Sequence, residues 1–172
     1  NLEFDHADIF ADLAAIQTQF HNLVRTIPNN GLIVCNGQQK SLRDTLDQGC
    51  WTPVEPFGNG DGWQVANAAA DGSFDVLLKG EKVGHVAWEL MGEHNRMNAV
   101  ATIAAARHVG VSIEHACEGL SAFKNVKRRM EVKGTVNGIT VYDDFAHHPT
   151  AITTTVEGLR HKIGSARILA VL

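Results

Sequence analysis

The chain is poor in cysteine and lacks long apolar runs, and both deficits exclude classes of protein. Its 172 residues include three cysteines, Cys35, Cys50 and Cys117, which are widely spaced and odd in number. That pattern argues against a disulfide scaffold and favours a reducing compartment. No apolar run approaches the roughly 20 residues that a membrane-spanning helix requires, so we expect no membrane partner.

The chain also lacks an excess of positive charge. It has 15 lysines and arginines against 19 aspartates and glutamates, a net charge of −4. This balance argues against a nucleic-acid partner that is bound through bulk charge. Hydrophobic residues make up 44% of the chain and charged residues 20%, an ordinary balance for a globular protein that buries a core.

Both ends lack the features of natural termini. The chain begins at Asn1 without a methionine or a signal-peptide pattern, and it ends in the apolar run 167–172. We therefore expect a fragment of a longer protein.

Hydrophobic periodicity and turn signals together predict an α/β fold. Apolar residues recur every three or four positions from Ile9 to Ile27, which is the period of a helix with one core-facing stripe. Ser41 and Ser112 are the expected N-caps of two later helices. The predicted helices span residues 8–27, 41–48, 97–108, 112–123 and 149–162. The predicted strands span residues 32–35, 74–78, 83–90, 131–136, 139–143 and 166–172, and those flanking Asn137-Gly138 form a hairpin.

The charge of the chain changes sign near residue 124. Residues 1–123 carry 7 basic and 15 acidic side chains, whereas residues 124–172 carry 8 basic and 4 acidic ones. The basic run Lys124–Arg129 lies at this change, so we predict two parts, residues 1–127 and 128–172. The second part has the order strand, loop, helix and strand, with which an open α/β sheet begins.

Two polar segments of the first part lie at predicted helix starts. Asp5 and His6 precede the first helix, where His6 beside carboxylates suits a divalent cation and Asp5 as a plain N-cap is the alternative. His94, Asn95 and Asn98 follow a glycine and place imidazole and amide groups on adjacent helical turns. Such amides can pair with the polar edge of a purine, whereas capping by Asn95 alone would need no ligand.

Two further segments lie at the charge change and beyond it. Arg128 and Arg129 have guanidinium groups that suit bidentate contacts with phosphate, although a charge run is also typical of a solvated surface. In the segment Tyr142–Thr150, two carboxylates end a strand and two imidazoles precede a helix. Ligands of open α/β sheets bind beyond the carboxyl ends of strands, so we expect this segment to be functional.

These segments, in this order, resemble the motifs of the Mur ligase family, ATP-dependent amide-forming enzymes of bacterial cell-wall metabolism. The matching segments are Asp5-His6, Gly92–Asn95, Arg128-Arg129 and Asp143–Pro149, and the resemblance covers essentially the whole chain. It implies a cytoplasmic bacterial enzyme of three domains. This chain would hold part of the central ATP-binding domain and the start of a Rossmann-like C-terminal domain.

Matched motif by motif, the resemblance implies a site for ATP and Mg²⁺ in the first part. His6 would be a magnesium ligand, and His94, Asn95 and Asn98 would line the adenine pocket. No P-loop sequence is present, so the phosphate-binding loop is expected before residue 1, and the fragment alone is expected to be inactive. Several relatives carry a carbamylated lysine in the first helix. Here that helix has no lysine, and His21 stands near the place, so we predict no carbamate.

In the second part, the resemblance gives roles to four residues. Arg129, accompanied by Arg128, would contact the ATP phosphates. Asp144 would hold the ribose hydroxyls, and His147 would lie near the phosphates or the attacking substrate. Arg129 and His147 are therefore the expected catalytic residues.

The resemblance also implies the substrates. Within the family, the stretch from Gly92 to Ala151 favours the branch that joins UDP-N-acetylmuramate to the murein peptide L-Ala-γ-D-Glu-meso-diaminopimelate in peptidoglycan recycling. In the branch that adds L-alanine to UDP-N-acetylmuramate, Tyr-Gly typically replaces Phe145-Ala146 and Glu replaces Ala151. That L-alanine ligase is the first alternative.

Two alternatives lie outside the family. One is a hydrolase with a bound transition metal, which would use Asp143, Asp144, His147 and His148. The other is a non-catalytic docking module.

Overall fold

The computed structural model describes residues 2–171 as a mixed α/β chain. Its helices are α1 (Leu13–Val24), α2 (Lys40–Leu46), α3 (Glu93–His108), α4 (Ile113–Ser121) and α5 (Pro149–Ile163). Its strands are β1 (Ile33–Asn36), β2 (Val54–Phe57), β3 (Trp63–Ala66), β4 (Phe74–Leu78), β5 (Glu81–Val86), β6 (Glu131–Val136) and β7 (Ile139–Asp143). The predicted α/β class is confirmed. None of the described helices is long and apolar enough to cross a membrane.

The first five strands form one sheet in the order β1-β2-β3-β4-β5. Strand β2 pairs in parallel with both β1 and β3, whereas β3, β4 and β5 form an antiparallel meander. Helix α3 packs across β1, β2 and β3, and α4 packs against β5. Because β1 and β2 are parallel, their carboxyl ends lie at the same edge of the sheet.

The hydrophobic core lies between this sheet and α3. Trp63, Phe74 and Val86 from the sheet, and Val100 and Ile103 from α3, have no exposed surface. Complete burial of a large apolar side chain contributes about 1.5–3 kcal/mol, so this layer fixes the position of α3 on the sheet.

One carboxylate is buried at the antiparallel end of the sheet. Asp75 is only 7% exposed, and it receives hydrogen bonds from the side chains of Asn67 (2.9 Å), Lys82 (2.7 Å) and His85 (2.8 Å). These contacts, led by the one from Asn67, hold the pKa of Asp75 well below its usual range. The carboxylate therefore stays charged while it holds β4 to β5.

Strands β6 and β7 form a separate hairpin, with the bounds that the sequence predicts. Asn137 and Gly138 both have positive φ, +51° and +79°, which is the backbone of the favoured two-residue hairpin turn.

The last predicted strand, residues 166–172, has a different outcome. Residues 166–171 form no strand, and Leu169 and Val171 are 79% and 90% exposed. That part of the prediction is wrong within the described residues, because a strand requires a paired neighbour and no described strand lies beside this run; Leu172 is outside them.

The first helix is shorter than predicted. It begins at Leu13, because the Asp12 carboxylate caps it by accepting a hydrogen bond from the backbone N–H of Ala15 at 2.8 Å. The expected core-facing stripe is also wrong: Ile16 is buried, but Phe20 and Leu23 are exposed, since α1 packs mainly on the short helix α2.

Other helix starts also differ from the predictions. Ser112 caps α4 as expected, accepting a hydrogen bond from the His115 backbone. Ser41, however, lies inside α2, where its hydroxyl donates to the carbonyl of Leu2 at 2.7 Å. Helix α3 begins at Glu93 rather than Met97.

Candidate functional site

The start of α3 carries three of the predicted nucleotide-binding residues. Gly92 precedes the helix with a φ of +87°, a conformation that favours glycine, so Asn95 is not the cap. The Asn95 side chain instead donates to the carbonyl of Met91 at 2.6 Å. Asn98 is exposed, and its amide makes no hydrogen bond with another described side chain. Residues three and four apart share one helix face, so His94, Asn95 and Asn98 lie together.

The imidazole of His94 is half-buried, and its Nδ1 has no hydrogen-bond partner among the described residues. Burial lowers the pKa of His94 below its ordinary value of 6.5, so the ring is uncharged at neutral pH. Asp144 and Arg129 lie close enough to shift this pKa in opposite directions. The structure therefore brings residues of the second predicted part to the start of α3.

Asp144 fastens the loop after β7 to the chain before β6. Its Oδ2 accepts a hydrogen bond from the Met130 backbone N–H at 2.8 Å, and its Oδ1 accepts one from Ala146 at 2.7 Å. Met130 has a positive φ of +52°, which is uncommon for a residue other than glycine. The carboxylate thus stabilises an unusual turn, and each oxygen keeps a further lone pair for a ligand.

The ring of Phe145 lies between a guanidinium and an imidazole. Cζ of Arg128 is 4.8 Å from the ring centroid, and the His147 ring meets it edge-on at 5.1 Å. Arg128 also lies 3.8 Å from the Asp143 carboxylate. His147 Nδ1 is 2.9 Å from the carbonyl of Phe145; because a carbonyl only accepts, Nδ1 carries the hydrogen and Nε2 is the acceptor.

The two arginines of the basic run differ in their surroundings. Arg128 is held by Phe145 and Asp143, whereas the exposed Arg129 guanidinium forms no ion pair with a described residue. The positive charge of Arg129 lowers the pKa of His94. Arg129 is therefore the arginine that is free to meet an anion beside the start of α3.

The predicted metal ligand lies on the exposed N-terminal segment. His6 has a φ of +56°, and its Nε2 is 3.9 Å from the Asp5 carboxylate. Asp5 does not cap α1. Its Oδ1 accepts a hydrogen bond from the His6 backbone at 2.8 Å, and this bond lowers the pKa of Asp5, with smaller effects from His6, His148 and His147. The segment containing His6 is therefore near that containing His147.

Residues 2–171 contain no group of three or more His, Cys, Asp or Glu side chains placed to hold a metal ion. The four residues of the hydrolase alternative have different partners: Asp143 pairs with Arg128, Asp144 with two backbone amides, His147 with the Phe145 carbonyl, and His148 with the start of α5. Among the described residues, these four side chains therefore form no metal site.

The sequence did not predict a group of amides that lies at the carboxyl ends of β1 and β2. Asn36 Oδ1 accepts a hydrogen bond from the Gln38 backbone at 2.9 Å, and the Gln38 side chain donates to the carbonyl of Gly58. Asn59 Oδ1 is buried without a partner among the described residues. Gly58 adjoins Met97 of α3, so this group borders the predicted nucleotide site. Polar residues directly after each strand were the available signal.

Two family models match the chain. Residues 1–106 match the Mur ligase middle domain, and residues 128–172 match the Mur ligase, glutamate ligase domain. The placement of the boundary at residues 127 and 128 stays a prediction.

Similar proteins carry related names. The UDP-N-acetylmuramate–L-alanyl-γ-D-glutamyl-meso-2,6-diaminoheptandioate ligase of Escherichia coli K12 is 54% identical over 174 residues, covering 100% of this chain and 38% of the relative. A UDP-N-acetylmuramate–L-alanine ligase of Salinibacter ruber is 33% identical, covering 99% of the chain and 37% of the relative.

Among solved structures, the UDP-N-acetylmuramate:L-alanyl-γ-D-glutamyl-meso-diaminopimelate ligase of Neisseria meningitidis is 75% identical with a TM-score of 0.70. The match covers 73% of this chain and 39% of that one. The chain thus spans 38% of the length of its E. coli relative. Because the middle-domain model alone matches more than half of the residues, the chain belongs to the Mur ligase family.

Proposed function

We propose that the protein containing this chain is an ATP-dependent amide ligase of the bacterial cytoplasm. It joins UDP-N-acetylmuramate to L-Ala-γ-D-Glu-meso-diaminopimelate in peptidoglycan recycling. The observation that carries this proposal is the 54% identity, over the whole chain, to the E. coli ligase named for that reaction. The 75% identity to the Neisseria ligase supports the same substrates.

In this proposal, ATP binds between the start of α3 and the loop after β7. His94, Asn95 and Asn98 line the adenine pocket, and the exposed amide of Asn98 supports this role. Asp144 accepts hydrogen bonds from the ribose with the lone pairs that its two backbone contacts leave. Asp144 lies close enough to His94 to shift the pKa of its imidazole, which supports one shared site.

The phosphates are assigned to the two arginines, in different ways. Arg129 contacts them directly, because its exposed guanidinium has no other acidic partner among the described residues. Arg128, held against Phe145, contributes its positive charge at a longer range. Neutralising the negative charge of the phosphates is the main task of an enzyme that transfers a phosphoryl group.

We assign His6 as one protein ligand of Mg²⁺. Magnesium in such sites keeps several waters and is bound through one or two carboxylates besides the phosphates. The Asp5 carboxylate, 3.9 Å from Nε2 of His6, offers such an oxygen beside the imidazole. When bound, the ion supplies neutralisation of phosphate charge.

The proposed chemistry has two steps. The muramate carboxylate attacks the γ-phosphate of ATP, which releases ADP and leaves an acyl phosphate. The amino group of the peptide then displaces phosphate to form the amide and loses a proton. His147 lies near the attacking substrate. Its Nδ1–H is held by the Phe145 carbonyl, so Nε2 can take the proton that the amine releases.

A substrate-competition assay with the protein expressed from the complete gene tests the proposal. With ATP, Mg²⁺ and UDP-N-acetylmuramate, we expect ADP and phosphate release that depends on the peptide and a ligated product by mass spectrometry. Preference for free L-alanine would identify the L-alanine ligase instead. Absence of product with either acceptor would reject a ligase. Arg129→Ala should abolish most turnover, whereas Arg25→Ala, on the far end of α1, should not.

A further inference from the structure

Two segments distant in sequence are joined by side-chain hydrogen bonds. The Thr150 hydroxyl donates to Glu3 Oε2 at 2.6 Å. His148 Nδ1 accepts from the Thr150 backbone at 3.3 Å, so Nε2 carries the hydrogen and donates to the carbonyl of Phe4, also at 3.3 Å. These contacts link the N-terminal segment to the first turn of α5.

The fold of α5 does not require the Thr150 hydroxyl. The helix has Pro149 at its first position and is capped by His148. The hydroxyl of Thr154, one turn later, bonds within the helix, to the carbonyl of Ala151 at 3.1 Å. Thr150 instead reaches a charged carboxylate 147 residues away, and hydrogen bonds to charged acceptors are the stronger class.

The bond joins the regions that the two family models match. Glu3 lies within residues 1–106 and Thr150 within residues 128–172. Glu3 stands three positions before His6, and Thr150 stands three positions after His147. The Glu3 side chain is 33% exposed and Thr150 is half-buried, so water competes only in part with their hydrogen bond.

We propose that Glu3 and Thr150 are positioning residues. Their hydrogen bond fixes the segment bearing His6 against the segment bearing His147, and thereby sets the distance between the two sides of the reacting site. This inference rests on the proposed ligase function. It requires that the bond form in the catalytic arrangement of the two parts.

The expected kinetic signature is a loss of turnover rather than of substrate affinity. The residues that we assign to ATP do not include this pair, so we expect the KM for ATP, and likewise that for UDP-N-acetylmuramate, to change little. A charge-assisted hydrogen bond that is made in the reacting arrangement contributes about tenfold or more to the rate.

Steady-state kinetics of the protein from the complete gene provide the test. Thr150→Val removes the hydroxyl and keeps the shape, and we expect kcat to fall at least tenfold with both KM values within about threefold. Thr150→Ser should restore most of the turnover. Thr154→Val, which removes a hydroxyl bonded within the same helix, is the matched control and should leave kcat unchanged.

A double-mutant cycle with Glu3→Ala separates positioning from general destabilisation. If the two residues act through their shared bond, the double variant will lose no more turnover than the more impaired single variant, which is expected to be Glu3→Ala because Glu3 also lies 3.5 Å from His148 Nδ1. Strictly additive losses, an unchanged kcat for Thr150→Val, or an equal loss for Thr154→Val would overturn the inference. An inactive parent protein would instead reject the proposed function, so the two failures are distinguishable.

Discussion

Asp144 is the residue whose removal tests the largest share of the proposed site. Its carboxylate is assigned the ribose of ATP, and it also holds two backbone amides, those of Met130 and Ala146. The two roles have separate readouts. Loss of the ribose contact changes the KM for ATP, whereas loss of the backbone contacts changes the free energy of unfolding.

The structure sets the size of each effect. Each hydrogen bond to a charged acceptor contributes about 1.5–3 kcal/mol, and the lower end applies because Asp144 is only half-buried. Asp144→Ala removes both and should lower the free energy of unfolding by about 3 kcal/mol. Asp144→Asn keeps one acceptor oxygen and should cost about half as much. Loss of one ribose contact worth about 1.4 kcal/mol raises the KM for ATP about tenfold.

The assay combines ATP titrations with urea unfolding of the same variants. Asp143→Asn, at the neighbouring residue, is the matched control. The Asp143 carboxylate makes only longer ion pairs, with Arg128 at 3.8 Å and Lys133 at 3.6 Å, and such pairs contribute little. An unchanged KM for ATP in Asp144→Ala would refute the ribose role. An unchanged unfolding free energy would refute the fastening of the turn.

Three further predictions concern the fold, and the first compares two glycines. A methyl group at residue 158 would lie 3.2 Å from Cα of Gly92, so Gly158→Ala should destabilise α5 on α3. Gly119→Ala, with open space around it, should stabilise α4 by up to about 1 kcal/mol in urea unfolding; equal effects would contradict this reasoning. The pKa of Asp75 is lowered from 3.8 by its hydrogen bonds, so their stabilisation is complete above that pH and is lost as the pH falls below it. Asp75→Asn should remove this acid dependence from melting curves, and an unchanged dependence would contradict the assignment. Ile103 is fully buried, so Ile103→Ala should lower the free energy of unfolding by about 2–5 kcal/mol in urea unfolding. A loss below about 1 kcal/mol would show that neighbouring side chains fill the cavity.

Local sequence signals predicted the elements that local interactions stabilise. Asn137-Gly138 fixed the β6–β7 turn, and Ser112 fixed the start of α4, because the relevant hydrogen bonds lie within four residues. The stripe on α1 and the apolar run 166–171 depend instead on neighbouring elements. Hydrophobic periodicity states which residues are suited to burial, but not which surface covers them.

The candidate site divides in the same way. Motif order predicted His94, Asn98 and Arg129 as site residues, and the structure places them on the start of α3 and beside it. It could not identify the amides of Asn36 and Asn59, since these meet only because β1 and β2 pair in parallel. A short stretch of sequence does not specify which distant strand will pair with it.

The two hydrogen-bonded links across the chain differ in what they can control. Asp144 binds Met130, next to the linker itself, so this link can persist when the second part turns relative to the first. The Thr150–Glu3 bond lies far from the linker in sequence and joins the parts directly, so any such turn must break it. Variants of Asp144 should therefore alter stability in every arrangement of the two parts and should also weaken ATP binding, whereas variants of Thr150 should alter only the reaction step that needs the two parts together. A Thr150→Val protein that lost ATP affinity and kept its turnover number would invert this order and show that the pair serves binding.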